Sequence, residues 1–209
     1  MVIRIEDVIN KIKDGDIVVI NGKTGEVHIN PSIEEMAQYE KQQKKLKEEE
    51  IELAKYKNKV AITQDGYQVE VSSNIGKTDD LEDVLKVGAD GIGLFRTEFL
   101  FMDSEQMPTE DEQFESYRKI AENMKEKLSI IRTLDAGGDK DISYLNLEKE
   151  DNPFLGYRAI RLCLGNLEMF KIQLRAILRA SSYGNLAIMF PMISTIDELR
   201  SAKNVLEEC

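Results

Sequence analysis

Arginine lies at the ends of two predicted strands in this sequence of 209 residues. Arg96 directly follows the apolar run at residues 92–95, and Arg132 lies in a second apolar run at residues 128–134. The planar guanidinium group binds carboxylate and phosphate oxygens two at a time. An arginine at the carboxyl end of a buried strand is therefore tolerable if it faces an anion.

A third arginine, Arg158, lies in the segment NPFLGYRAIR at residues 152–161. Arg161 follows three positions later on a predicted helix, so only one of the two need face the same site. The formal net charge is -11, so an anionic ligand needs a local concentration of arginine. Together these positions predict a pocket for a small, multiply charged anion.

Purely structural interpretations of the same residues remain open. Arg96 and Glu98 could form a half-exposed ion pair without any ligand. Arg132 could likewise form a structural pair with an aspartate of RTLDAGGDK while Gly137 and Gly138 only form a turn, because a Gly-Gly pair is not by itself a phosphate loop.

The arginines need a scaffold, and the second part of the chain predicts one. Strands are predicted at residues 69–72, 92–95, 128–134 and 186–192, each followed by a helical pattern. Repeated strand–helix units form parallel sheets, whose ligand sites lie beyond the carboxyl ends of the strands. We therefore expect an α/β fold in which residues 59–209 form (βα)4, the first half of a TIM-type barrel.

The first part of the chain is expected to be a different unit. Residues 17–20 and 26–29 predict a β-hairpin, which we interpret as the end of a domain covering residues 1–32. Ser32 and Glu35 form a capping-box pattern that begins a long charged helix. This helix, within residues 33–58, is expected to be a linker between domains.

Composition limits the class of protein. The strong negative charge argues against a nucleic-acid or anionic membrane partner, and no apolar run approaches membrane-spanning length. Two cysteines provide no disulfide framework, and no signal peptide precedes the first helix. We expect a cytoplasmic protein.

Five motifs, in order, resemble one known family. They are GADGIGLFRTEFLFMD from Gly88, PTEDEQF from Pro108, RTLDAGGDK from Arg132, NPFLGYRAIR from Asn152 and MFPMI from Met189. The chain resembles Enzyme I of the bacterial phosphoenolpyruvate:sugar phosphotransferase system, the phosphoenolpyruvate-protein phosphotransferase, a relative of pyruvate phosphate dikinase.

The resemblance implies specific roles. Arg96 and Arg132 would bind the phosphate of phosphoenolpyruvate (PEP), and Arg158 would line the pocket. In the intact enzyme, phosphoryl passes from PEP to a histidine of a swivelling domain and then to the carrier protein HPr, with Mg²⁺ as cofactor. The family also implies a homodimer formed by the barrel domain.

Other family residues have no match here. His28 does not lie in the family's acceptor-histidine motif, and Cys163 does not match its proton-donating cysteine. The carboxylates that hold Mg²⁺ are expected beyond Cys209, so we predict no catalytic residue and no metal ligand within this chain. We expect a fragment that is catalytically silent alone; the alternative is a non-enzymatic anion-binding or self-associating half-barrel.

Overall fold

The computed structural model describes residues 8–137, 142–145 and 150–209, which divide between two compact units. The units are Met1–Lys57 and Asn58–Cys209. Within the described residues, no helix is both long and apolar enough to cross a membrane.

The first unit contains a hairpin and one long helix. Its elements are α1 (Val8–Lys11), β1 (Val18–Ile20), β2 (Val27–Ile29) and α2 (Ile33–Ala54). β1 and β2 pair antiparallel, as predicted. The Ser32 hydroxyl accepts the Glu35 N–H and the Glu35 carboxylate accepts the Ser32 N–H, so the predicted capping box is confirmed. No residue of α2 is buried, which agrees with its predicted charged surface.

The second unit is built on a parallel sheet flanked by helices. A two-stranded antiparallel pair comes first, β3 (Ala61–Ile62) with β4 (Gln68–Val69). The remaining elements are β5 (Ser73–Ile75), α3 (Leu81–Val87), β6 (Ile92–Arg96), α4 (Glu98–Met102), α5 (Glu110–Met124), β7 (Ser129–Arg132), α6 (Ala159–Gly165), α7 (Leu167–Ala180), β8 (Leu186–Met189) and α8 (Ile196–Glu208). The strand order β5-β6-β7-β8 is that of the sequence, and every pairing is parallel. The predicted α/β fold with a parallel sheet is confirmed, while its assignment as half a barrel stays a prediction.

The predicted first strand at residues 69–72 is wrong in position. Val69 belongs to the antiparallel pair, and the parallel strand begins only at Ser73, whose N–H donates to the Gly91 carbonyl oxygen. The Asp90 carboxylate accepts the Val71 N–H at 2.8 Å. The alternating valines suggested a half-buried strand, but Val69 and Val71 are exposed because the chain joins the sheet later.

Two apolar clusters hold the sheet to its helices. Ile92 and Phe95 of β6 pack with Tyr117 and Ile120 of α5, and all four are at most 2 % exposed. A second cluster continues beyond the carboxyl ends of the strands; its members include Phe101, Leu134, Ile160, Cys163, Phe170 and Leu174. The second cluster therefore supports the loops that follow β6 and β7, where the predicted site residues lie.

Candidate functional site

Arg96 and Arg132 end neighbouring strands and lie side by side. They are Cα partners in the parallel register of β6 and β7. Paired residues on adjacent strands project to the same face of a sheet, and the strands lie about 4.8 Å apart. The register therefore brings the first two predicted anion-binding residues together at the carboxyl edge of the sheet.

Two carboxylates hold the Arg132 side chain. Its Nη2 donates to Glu98 Oε1, and its Nη1 lies 3.4 Å from Asp135 Oδ2. The side chains of Arg132, Glu98 and Asp135 are 14 %, 2 % and 9 % exposed. Little water reaches these charges, so their attraction is only weakly screened. The arginine–aspartate pair proposed for RTLDAGGDK is present, and Asp135 is the aspartate; Glu98 pairs with Arg132 and not, as the sequence suggested, with Arg96.

Asp135 also connects Arg158 to the cluster. Arg158 Nη2 donates to Asp135 Oδ1 at 2.7 Å, and the residue is 6 % exposed. A Cβ on Gly137, whose φ is +111°, would stand 2.6 Å from the Arg158 Cβ. Glycine is therefore needed at position 137 both for its backbone conformation and for the close approach of Arg158.

Arg96 is the exposed member of the cluster. Its guanidinium carbon lies 5.3 Å from the centre of the Phe99 ring, and among the described residues it makes no ion pair. Nearby, Asp80 accepts the backbone N–H groups of Gly76 and Lys77, which lower the pKa of its carboxyl; the Arg96 charge lowers this pKa further. Arg96 thus keeps its hydrogen-bond donors available at the edge of the sheet.

The two less exposed arginines also have unused donors. The Nε atoms of Arg132 and Arg158 are buried and have no hydrogen-bond partner among residues 8–137, 142–145 and 150–209. Buried polar groups are normally satisfied, so such donors call for an explanation. An anion or ordered water in the cluster would supply the missing acceptors.

The other residues singled out in the sequence lie outside the arginine cluster or outside the residues that the structure describes. Arg161 donates to the carbonyl oxygens of Leu155 and Gly156 and pairs with Glu198, so it braces a loop and does not join the cluster. Gly138, Asp139 and Lys140, which complete the RTLDAGGDK motif, lie outside the described residues.

His28 and Cys163 have no catalytic role in the arrangement described. The His28 ring, in the first unit, lies 5.5 Å from the Tyr39 ring between centroids and is tilted at 50° to it. The Cys163 thiol donates to the Leu134 carbonyl oxygen at 3.7 Å. Cys163 is buried, and this burial raises the pKa of its thiol to about 12. Such a thiol stays protonated, which suits a core residue more than a nucleophile.

Sequence reasoning missed Gln173, a buried polar residue that contacts Thr97 and Leu134 beside the arginines. The Thr97 hydroxyl donates to the Arg132 carbonyl oxygen at 2.9 Å, and Gln173 Oε1 accepts the Leu134 N–H at 2.9 Å. A signal was present for Gln173, because it interrupts the apolar face that α7 presents to the core. The buried apolar members of that face are Met169, Phe170, Leu174, Ala176, Ile177 and Ala180.

The carboxylates of the cluster face arginines. Glu98 contacts Arg132, and Asp135 contacts Arg132 and Arg158. Within the described part of the chain, no three His, Cys, Asp or Glu side chains group as they would around a metal ion.

Comparison with protein families covers the region that contains the arginine cluster. The family described as "PEP-utilising enzyme, PEP-binding domain" matches residues 31–209. The chain belongs to this family. The matched region includes β6 with Arg96, β7 with Arg132, and Arg158, which is the N-cap residue of α6.

Named relatives agree with the PEP-binding family. The chain is 54 % identical over 198 residues to the phosphoenolpyruvate-protein phosphotransferase of Geobacillus stearothermophilus, which covers 95 % of this chain and 34 % of the relative. It is 51 % identical over 207 residues to the enzyme of the same name from Staphylococcus carnosus, covering 99 % and 36 %. The chain therefore spans about a third of the length of these relatives.

Proposed function

We propose that this chain binds phosphoenolpyruvate through Arg96, Arg132 and Arg158 and so forms the arginine side of a phosphotransferase site. The observation that carries the proposal is the adjacency of Arg96 and Arg132 at the ends of β6 and β7, within a PEP-binding family match. Arg158 joins them through Asp135. PEP, which carries both a phosphate and a carboxylate, has the charge that this cluster would attract.

Ion pairs hold two of the three arginines in place. Among the described residues, Asp135 contacts both Arg132 and Arg158, and Glu98 contacts Arg132. The shared carboxylates orient the side chains before a ligand arrives. An anion would then gain charge-assisted hydrogen bonds to donors that are already in position, which lowers the ordering cost of binding.

In phosphoryl transfer, the protein chiefly positions the phosphoryl group and neutralises the charge on its oxygens. We propose that Arg96 and Arg132 contact the phosphate oxygens and that Arg158 contacts the rest of the anion. In the complete enzyme the phosphoryl group would pass to a histidine of another domain and then to HPr, in the cytoplasm. Mg²⁺ would add positive charge at the phosphate, held by carboxylates that are not among the described residues.

The fold assignment belongs to the same proposal. Four parallel strands in sequence order, with helices following each, are what the first half of a (βα)8 barrel would contain. We propose that residues 59–209 are this half, that residues 33–58 link it to a phosphohistidine domain ending near residue 32, and that the chain alone does not turn over.

Calorimetric titration with PEP tests the binding step. We expect the unaltered chain to bind PEP, Arg132→Ala to abolish measurable binding, and Arg200→Ala to leave the dissociation constant unchanged. Arg200 is a matched charge control, since its side chain is 72 % exposed and pairs with Asp197 on α8. Equal loss in both variants would indicate a nonspecific charge effect, and a folded chain that binds no PEP would contradict the proposal.

A second candidate function is self-association of the half-barrel. β5 and β8 are the outer strands of the four-stranded sheet, and unpaired strand edges favour pairing with another copy. Sedimentation across a hundredfold concentration range distinguishes the two ideas. A monomer throughout would exclude edge pairing, whereas a concentration-dependent dimer would support it.

A further inference from the structure

A buried glutamine on α7, Gln173, joins the ends of the two strands that carry Arg96 and Arg132. We propose that Gln173 is a positioning residue for anion binding, because it holds residues that follow those two arginines at the ends of β6 and β7. The inference rests on the proposed function, since it takes the arginine cluster to be the PEP site.

Both the oxygen and the nitrogen of the Gln173 side-chain amide make hydrogen bonds. Its Oε1 accepts the Leu134 N–H at 2.9 Å, and its Nε2 donates to Thr97 Oγ1 at 3.3 Å and to Tyr117 Oη at 3.1 Å. Gln173 is only 1 % exposed, so water does not compete for these bonds. A reversed amide would set its NH₂ against the Leu134 N–H, so this donor fixes the orientation of the side chain.

These bonds lead directly to the arginines. Thr97 lies between Arg96 and Glu98 in the chain. Its hydroxyl accepts the hydrogen bond from Gln173 and donates one to the Arg132 carbonyl oxygen. Leu134 immediately precedes Asp135, the carboxylate that contacts both Arg132 and Arg158. One side chain thus holds the backbone on both sides of the cluster.

The position of Leu134 explains why a polar residue is needed there. β7 ends at Arg132, and the Thr133 N–H still donates to the Met189 carbonyl oxygen at 3.0 Å. The Leu134 N–H lies beyond this ladder in a buried turn, where an unpaired amide is costly. Gln173 supplies the acceptor, which allows the chain to leave the sheet and turn toward Asp135.

Packing alone does not require this arrangement. Apolar side chains of similar volume commonly replace buried polar groups without loss of stability, provided that no polar partner is left unpaired. Two of the groups bonded to Gln173 lie near the arginines: the Thr97 hydroxyl follows β6 and the Leu134 N–H follows β7. The other Gln173 donor reaches Tyr117, which donates to Gln113 Oε1, and Gln113 Nε2 donates to the Pro108 carbonyl oxygen. The network therefore ties the site turns to α5.

The test compares Gln173→Met with Ile177→Ala in PEP calorimetry. Met keeps a similar length but has no strong donor or acceptor, so we expect PEP to bind about tenfold more weakly, as for the loss of a buried hydrogen-bonded positioning group. Ile177 lies one turn further along α7 and is 1 % exposed; its truncation destabilises the core without removing a hydrogen bond to the segments after β6 and β7. We expect Ile177→Ala to bind PEP with an unchanged dissociation constant.

Thr97 provides the conservative comparison. Thr97→Val removes the hydroxyl and should weaken PEP binding, whereas Thr97→Ser keeps it and should restore binding although it leaves a small cavity. Equal weakening in Gln173→Met and Ile177→Ala, or in Thr97→Val and Thr97→Ser, would mean a general structural effect and would overturn the inference.

Hydrogen exchange of the Leu134 amide, measured by NMR in the absence of PEP, separates this inference from the proposed function. We expect Gln173→Met to accelerate exchange at Leu134 selectively and to shift the Arg132 Nε–Hε signal, while Ile177→Ala does not. Failure of the unaltered chain to bind PEP would contradict the proposed function. An unchanged Leu134 exchange rate and Arg132 signal in Gln173→Met would overturn the positioning role.

Discussion

Replacing Arg132 with methionine separates what this residue contributes to folding from what it contributes to binding. Arg132→Met leaves the Glu98 carboxylate, whose side chain is 2 % exposed, without the guanidinium that faces it. Removing one partner of a buried ion pair costs about 3–5 kcal/mol. We expect the lower end, about 3 kcal/mol, since Asp135 retains Arg158 and Arg132 itself is partly exposed.

The double variant Arg132→Met/Glu98→Gln tests the cause of this loss. Removing both charges together leaves no uncompensated carboxylate, so we expect the total cost to fall to about 1 kcal/mol. PEP binding should stay absent in both variants, because the guanidinium donors are missing in each. Compared with Arg132→Met, the double variant should therefore recover stability but not PEP binding.

Urea unfolding followed by far-ultraviolet circular dichroism measures the stability difference. At an m-value of about 2 kcal/mol per M, Arg132→Met should lower the midpoint by roughly 1.5 M. Arg200→Met, at an exposed position, should shift the free energy of unfolding by less than about 0.5 kcal/mol. The reasoning is refuted if the double variant is no more stable than Arg132→Met, or if either variant still binds PEP.

Three further predictions concern a glycine, a carboxylate and two thiols. Gly137→Ala should lower the free energy of unfolding in urea by about 2–3 kcal/mol, because of its positive φ and the clash with Arg158 Cβ, and should lower PEP affinity. The control Gly66→Ala, with φ +87° and no atom within 4 Å, should cost about 1 kcal/mol of stability and leave PEP affinity unchanged. Equal stability losses in the two variants would contradict the clash. Backbone and hydroxyl donors from Ser194 lower the pKa of Glu198 to about 2, so its charge stabilises the fold above about pH 4.5, and this contribution is lost as the pH falls toward 2. Thermal unfolding of Glu198→Gln should accordingly show a lower Tm at neutral pH and little difference near pH 2; a pH-independent difference would contradict this. In the native chain, a thiol reagent should label the exposed Cys209 but not the buried Cys163, and in urea both thiols should react. Rapid labelling of both thiols in the native chain would contradict the burial of Cys163.

Local structure was largely predictable from the sequence. The helical pattern predicted after the second strand is confirmed as α5, because Pro108 and Thr109 precede a clear apolar face and Thr109 caps the helix. β6 was expected to end at the arginine, and it does. The first parallel strand was misplaced, because Val69 and Val71 have the alternation of a strand but are exposed, and the chain joins the sheet only at Ser73.

The sequence by itself determined that arginines would stand at strand ends, because strand boundaries and side-chain types are local properties. Only the tertiary structure decided which groups those arginines and their neighbours contact. Arg132 meets Glu98 across 34 residues of sequence, Leu134 meets Gln173 across 39, and Gln173 meets Thr97 across 76. Such pairings depend on strand register and helix packing, which set distances that no local pattern encodes. The sequence thus singled out the arginines that we propose bind an anion, and the fold determined what holds them in position.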